Sequence, residues 1–315
     1  MPVFKTDGFQ GTSVKFSPFI ESRLAVSTGQ NFTFVGNGRQ YVLELSPRGI
    51  LQRCFFDTND VLFDCCWAEC NENLLLSACA NGSLKMWDIA RPPAANPISS
   101  FEEHACEAQF VDWNPVRKDS FLSASWDCSV KLWSMERPGS IRTFIEHTAY
   151  VWTSTWNPQH ADVFASSSSD LTVRCWDVRD PNSILVIPAH KHEIVGCDWN
   201  KYNNSLLVTG SIDQTICIWD VRNHAVPVTV LQGHSKGVRR VKFSPFHENI
   251  IGSCAYDMTV CMWDFSISDA LLARYDHHTE FPFGFDMSIH EDNLLASAGL
   301  DDCVYVWPHG FDPRA

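Results

Sequence analysis

A histidine, a serine and an aspartate recur together along this chain. They are the residue types of nucleophilic catalysis: an activated hydroxyl, a base, and a group that orients the base. One set is His104, Ser123 and Asp127. An enzyme needs such a set once. Here it returns as His147, Ser166 and Asp170; His190, Thr209 and Asp213; His234, Ser253 and Asp257; and His278, Ser297 and Asp301. A tryptophan stands six residues after each aspartate, at Trp133, Trp176, Trp219, Trp263 and Trp307. Recurrence at fixed spacing points to a structural unit, and no non-repeating polar cluster remains to serve as a catalytic set. Metal chemistry fares no better. His190-Lys191-His192 and His277-His278 lack a Cys or carboxylate set at zinc spacing, and Cys65, Cys66 and Cys70 precede no Cys/His pair with finger spacing. No Gly-rich loop followed by Lys and Ser/Thr is present to cradle a phosphate. No cofactor is expected.

The elements that carry these sets are short strands. Ser123 and Ser125 lie on an incoming strand, Asp127 begins a tight turn, and Val130 to Trp133 alternate along a second strand. A weaker copy is Ser77, Asn81 and Trp87, and the most degenerate has Leu43 in the Trp position, six residues after Asn37. Successive copies are 43 to 46 residues apart. A period near 43 is that of the WD repeat, one four-stranded blade of a propeller. Seven copies fill the 315 residues, so the chain is expected to be all-β, a single seven-bladed propeller domain over residues 1–315. The extended segment before Gly8 is expected to supply the outer strand of the last blade and close the ring, which leaves no free sheet edge there. Resemblance to WD repeats implies that each Trp, Ser/Thr, His and Asp set is a buried hydrogen-bond chain. Such a chain satisfies polar groups that would otherwise be costly inside a blade.

Composition fits this reading. Hydrophobic residues make up 45% and charged residues 19%, which argues against disorder. The longest apolar runs are strand-length, which excludes a membrane-spanning helix. Residues 1–5 carry no apolar core of a secretory signal, and residues 312–315 match no receptor-read tail. The thirteen cysteines are spread through strands, which reads as reduced thiols in a cytosolic protein. A net charge of −13 disfavours nucleic acid and favours a basic partner.

Function should therefore lie on a face of the ring. By resemblance to WD repeats, three positions per blade point to the narrower top face: three and five residues after the His landmark, and one before the Asp. They include Phe63, Glu107, Gln109, Trp126, Tyr150, Trp152, Glu193, Val195, Arg239, Tyr256, Phe281 and Phe283. Large aromatics gathered on one face mark a binding surface. With Glu107 and Glu193 among them, the expected ligand is apolar on one side and cationic, as an amphipathic peptide helix with an Arg would be.

Stretches between the repeat motifs are more specific. Arg117 to Leu122, Cys197 to Tyr202, Tyr275 to Phe281 and Val304 to Trp307 resemble the receptors for the type-2 peroxisomal targeting signal, the seventh-peroxin family, with the plant and algal branch nearest. The resemblance runs from Ser13 to the last residues. It implies an import receptor that binds an N-terminal Arg-Leu-x5-His-Leu helix of cargo proteins. Arg and His in that pattern lie about two helical turns apart, on one face with the two Leu. On this reading Glu107 and Glu193 take the cations, and Trp126, Tyr150, Trp152 and Phe281 form the apolar floor. The resemblance also implies a co-receptor, the long form of the type-1 signal receptor or an equivalent, with Tyr256 and Phe283 on its side. The receptor would deliver cargo to the peroxisomal docking complex and cycle between cytosol and peroxisome matrix, without inserting into the membrane. The rival reading is a generic WD adaptor for a basic tail or a degron, in a chromatin or ubiquitin-ligase scaffold.

Overall fold

A computed structural model describes residues 1–31 and 36–310. The residues 312–315 considered above lie outside it. The strands form seven four-stranded antiparallel sheets arranged as the blades of a propeller. Blade three is representative: its strands are Ala108–Trp113, Ser120–Ser125, Val130–Ser134 and Arg142–Phe144. The innermost strand lines the central channel, and each later strand lies farther out. The seventh sheet is built from both ends of the chain. Strand Val3–Lys5 pairs antiparallel with Cys303–Pro308, with Phe4 opposite Val304. The N-terminal strand thus closes the ring.

The core sits between blades. Each apolar cluster mixes residues of two neighbouring sheets, such as Leu84, Met86 and Phe101 of blade two with Val111, Phe121 and Trp133 of blade three. No blade could bury its own faces alone, and stacking makes one continuous core. Backbone N–H groups are also carried across the seams. The Phe16 N–H donates to Asp286 at 2.8 Å, the Trp156 N–H to Asp112 at 2.8 Å, and the Phe243 N–H to Asp198 at 2.9 Å. Burial pushes the Asp112 carboxyl up to about 6, against the hydrogen bond from Trp156.

Two regularities position the top face. Every inner strand carries a β-bulge at the same place: the ladder skips Phe63, Gln109, Trp152, Val195, Arg239 and Phe283, with Thr12 at the equivalent site of blade one. A bulged residue leaves the alternation of its strand and is re-aimed. These are the residues five after each landmark. In six blades the residue before the Asp position also donates its backbone N–H to the residue three after the landmark. Ala80 bonds Val61, Trp126 bonds Glu107, Ser169 bonds Tyr150, Ile212 bonds Glu193, Tyr256 bonds Gly237 and Leu300 bonds Phe281, all at 2.9–3.0 Å. Bulge and bond together hold three side chains per blade at one end of the channel.

Candidate peptide-binding face

The repeated polar sets lie beneath this face. In blade three the Trp133 Nε1–H donates to Ser123 Oγ at 2.8 Å, His104 Nε2 lies 2.6 Å from the same oxygen, and His104 Nδ1 lies 2.7 Å from Asp127. Trp176, Ser166, His147 and Asp170 repeat the chain, as do Trp219, Thr209, His190 and Asp213, and Trp263, Ser253, His234 and Asp257. Burial pushes the Asp127, Asp170 and Asp257 carboxyls up. The bonds and charge from each histidine, with a neighbouring hydroxyl and backbone N–H, outweigh it and hold them well below the usual range. The hydroxyls of these four sets are fully buried and bonded on both sides, to the indole and to the imidazole.

Blade seven departs from the expected chain. His278 bridges Ser297 at 2.7 Å and Asp301 at 2.9 Å, but the buried Trp307 Nε1–H has no partner. The neighbouring His277 takes its place, with Nε2 3.3 Å from Ser297 Oγ and its ring 4.5 Å from that of Trp307. Burial and the adjacent His278 push the His277 imidazole down to about 3, so it is neutral. In blade one the degenerate repeat is supported differently. Gln40 Oε1 accepts from both Ser27 and Ser77 at 2.8 Å, linking blades one and two.

Above these sets the aromatic residues form two groups. Trp126 stacks on Tyr150 with ring centroids 5.1 Å apart, meets Trp152 edge-on at 5.4 Å, and has Phe63 at 6.4 Å. Across the channel mouth, Tyr256 meets Phe281 and Phe283 edge-on at 5.5 and 5.8 Å. Arg239 bridges the groups, its guanidinium 5.6 Å from the Trp152 ring and 5.2 Å from the Phe283 ring. Burial lowers the Arg239 pKa from its usual value. Between the groups lies a cavity of ≈ 430 Å³, lined by Phe63, Ala80, Glu107, Gln109, Trp126, Trp152, Arg239, Tyr256, Phe281, Phe283 and Leu300.

Nine of the twelve top-face positions named from the sequence therefore line this cavity, and Tyr150, Val195 and Glu193 do not. Tyr150 is 49% exposed and stands outside it against Trp126. Val195 is 1% exposed and does not line it, because its short side chain ends inside the blade. Glu193 stands at the rim, oriented by a relay in which the Trp152 indole donates to Ser169 Oγ at 2.8 Å and Ser169 to Glu193 at 2.9 Å. Glu107 has no ion-pair partner among the described residues. Tyr256 and Phe283 share the cavity with the other aromatics instead of forming a separate patch. Arg239 was legible as a top-face position, but its place between the two aromatic groups was not. Among the described residues, no three His, Cys, Asp or Glu side chains gather where they could hold a metal.

Four segments, 95–134, 139–177, 181–220 and 225–264, match the family model of the WD domain, G-beta repeat, and together they cover just over half of the chain. The chain belongs to the WD-repeat family. The segments matched correspond to blades three to six, while blades one, two and seven lie outside them and are four-stranded sheets too, blade seven with its outer strand from the N-terminus. The chain is similar over 143 residues, at 56% identity, to a protein of Arabidopsis thaliana named peroxisome biogenesis protein 7, covering 45% of each chain. It is 51% identical over 126 residues to the peroxisomal targeting signal 2 receptor of Dictyostelium discoideum, covering 40% of each. It is 42% identical over 143 residues to the human protein of that name, covering 45% of this chain and 44% of the relative. The matched stretch thus spans less than half the length of these relatives.

Proposed function

We propose that this WD-repeat protein is a receptor for the type-2 peroxisomal targeting signal, and that it binds the Arg-Leu-x5-His-Leu helix on its top face. The observation that carries the reading is the cavity: an aromatic basin of ≈ 430 Å³ with the Glu107 carboxylate in its wall and Glu193 held beside it through Ser169 and Trp152. An amphipathic helix laid on it buries its two Leu against Trp126, Trp152 and Phe281, and its Arg and His meet the carboxylates. Apolar anchors in a groove give affinity, and charge pairs give register and orientation. The similarity to proteins named as receptors for this signal supports the same reading. As a receptor the chain would need no catalytic set. A co-receptor that covers the bound helix, a docking complex at the peroxisome, and cycling from the cytosol belong to the proposal by the same resemblance.

The test is fluorescence anisotropy of a labelled Arg-Leu-x5-His-Leu peptide, with and without a fragment of the long type-1 signal receptor. Expected is binding that tightens with the fragment and weakens at least tenfold when Glu107→Lys and Glu193→Lys are combined. Binding unchanged by both charge reversals would overturn the assignment of the acidic rim. Binding of a basic histone-tail peptide in preference to the signal would favour the generic adaptor.

A further inference from the structure

The cavity is unbalanced in its hydrogen bonding. The Trp126 Nε1–H is buried and has no partner, and neither has the Gln109 Nε2. Arg239 is 5% exposed, lines the cavity, and makes no side-chain hydrogen bond or ion pair among the described residues. Turning over the Gln109 amide would exchange its donor for an acceptor, but an indole and a guanidinium can only donate. Buried donors are rarely left unpaired in folded proteins, and a set of them around one cavity requires an explanation. The usual partner of a buried arginine is absent too. Glu107 lines the same cavity from blade three, yet no ion pair joins it to Arg239 on blade six. The aromatic rings beside Arg239 favour its charge but offer it no oxygen.

We infer that the cavity holds an oxygen acceptor of the bound signal helix on Arg239 and Trp126, either a carboxylate or the free carbonyls of the helix's last turn. The inference rests on the receptor function proposed above and deepens it. The last four carbonyls of a helix have no partner within it, and that end carries the negative pole of the helix dipole. A cation on blade six and carboxylates on blades three and five therefore give the site a polarity. The helix lies with its cationic side chains toward Glu107 and Glu193 and its acceptors toward Arg239. A signal helix laid in the opposite sense would bring its cations to a buried guanidinium. Arg239 thus sets the direction of binding, which an acidic rim alone would leave open.

Two peptides and two probes test this. One signal peptide has a five-residue spacer of glutamines only; the other has one spacer residue changed to Glu. Arg239→Met keeps the stem between Trp152 and Phe283 without the charge, and Trp126→Phe keeps a ring without the N–H. If backbone carbonyls are the acceptor, each variant weakens the all-glutamine peptide at least tenfold. If a carboxylate is the acceptor, wild type binds the Glu peptide at least tenfold more tightly than the other, and Arg239→Met removes the difference. Binding of both peptides within twofold of wild type by Arg239→Met overturns the inference. Independently, hexanoate and hexylamine are titrated against tryptophan fluorescence of the wild-type protein. The net charge of −13 favours the amine in general, whereas the acceptor site predicts preference for hexanoate. Preference for the amine overturns the site. Preference for hexanoate without binding of either signal peptide would leave the acceptor site standing and refute the receptor.

Discussion

Trp133→Phe and Trp307→Phe remove the same atoms from two equally buried positions, yet they should differ in cost. Both indoles are at most 1% exposed, so the loss of ring volume is common to the pair. In blade three the change also removes the Trp133 hydrogen bond to Ser123, 2.8 Å long, which is worth about 1 kcal/mol net. In blade seven it removes an N–H that has no partner, and so relieves a buried unsatisfied donor worth about 1–3 kcal/mol. The difference is roughly 2–4 kcal/mol, with Trp133→Phe the more destabilised. The assay is urea denaturation followed by far-ultraviolet circular dichroism, which does not depend on the replaced fluorophore. Midpoints are compared at unchanged slope, so that the shift reports stability alone. Equal midpoints, or a lower one for Trp307→Phe, would refute the reasoning and mean that the blade-seven indole is satisfied in solution.

Leu171 occupies the turn after Asp170 with φ of 70° and is 38% exposed, so Leu171→Asn should gain up to about 1 kcal/mol by easing a left-handed backbone; an unchanged or lower denaturation midpoint would count against it. His277, with its pKa pushed down from 6.5 to about 3, binds fewer protons folded than unfolded, so its contribution is present above pH 6.5 and is lost as pH falls toward 3. Midpoints of His277→Gln should therefore fall less steeply than wild type across that window, and parallel acid limbs would contradict this. All thirteen cysteines are free, and of these only Cys70 and Cys106 are exposed. A thiol reagent should label these two sites quickly in the native protein, the half-buried Cys54, Cys128 and Cys303 more slowly, and the eight buried thiols only on unfolding; rapid labelling of Cys175 or Cys254 would show that the blades open.

Much of the architecture was legible because the repeat writes the same chemistry into every blade. Trp, hydroxyl, His and Asp at fixed spacing located the second and third strands, and the period located even blade one, where Leu43 fills the Trp position fully buried. What the pattern hid were local substitutions of partners. Gln40 does in blade one what no motif residue could, because a side-chain amide from the third strand reaches two serines on neighbouring blades. His277 displaces Trp307 from Ser297 because two adjacent histidines compete for one hydroxyl. On the top face the positions were readable, but their depth depends on side-chain length. Val195 and Gln109 occupy the same bulge as Trp152 and Phe283, yet they end within or just at the wall. The place of Arg239 between the two aromatic groups follows from the ring's closure, which brings blade six opposite blade three, and no linear spacing expresses that.

The recurrent bulge separates what supports the ring from what the ring displays. A residue skipped by the ladder contributes little to strand pairing, so its identity is free to change while the sheet beside it stays the same. The six inner strands from blade two onward thus hold six addresses around one opening, now filled by Phe63, Gln109, Trp152, Val195, Arg239 and Phe283. Such a mouth can be rewritten one letter at a time. A propeller of this kind is a fixed frame with an editable inscription, and a new ligand preference requires changes at a few of these addresses and none in the blades that carry them.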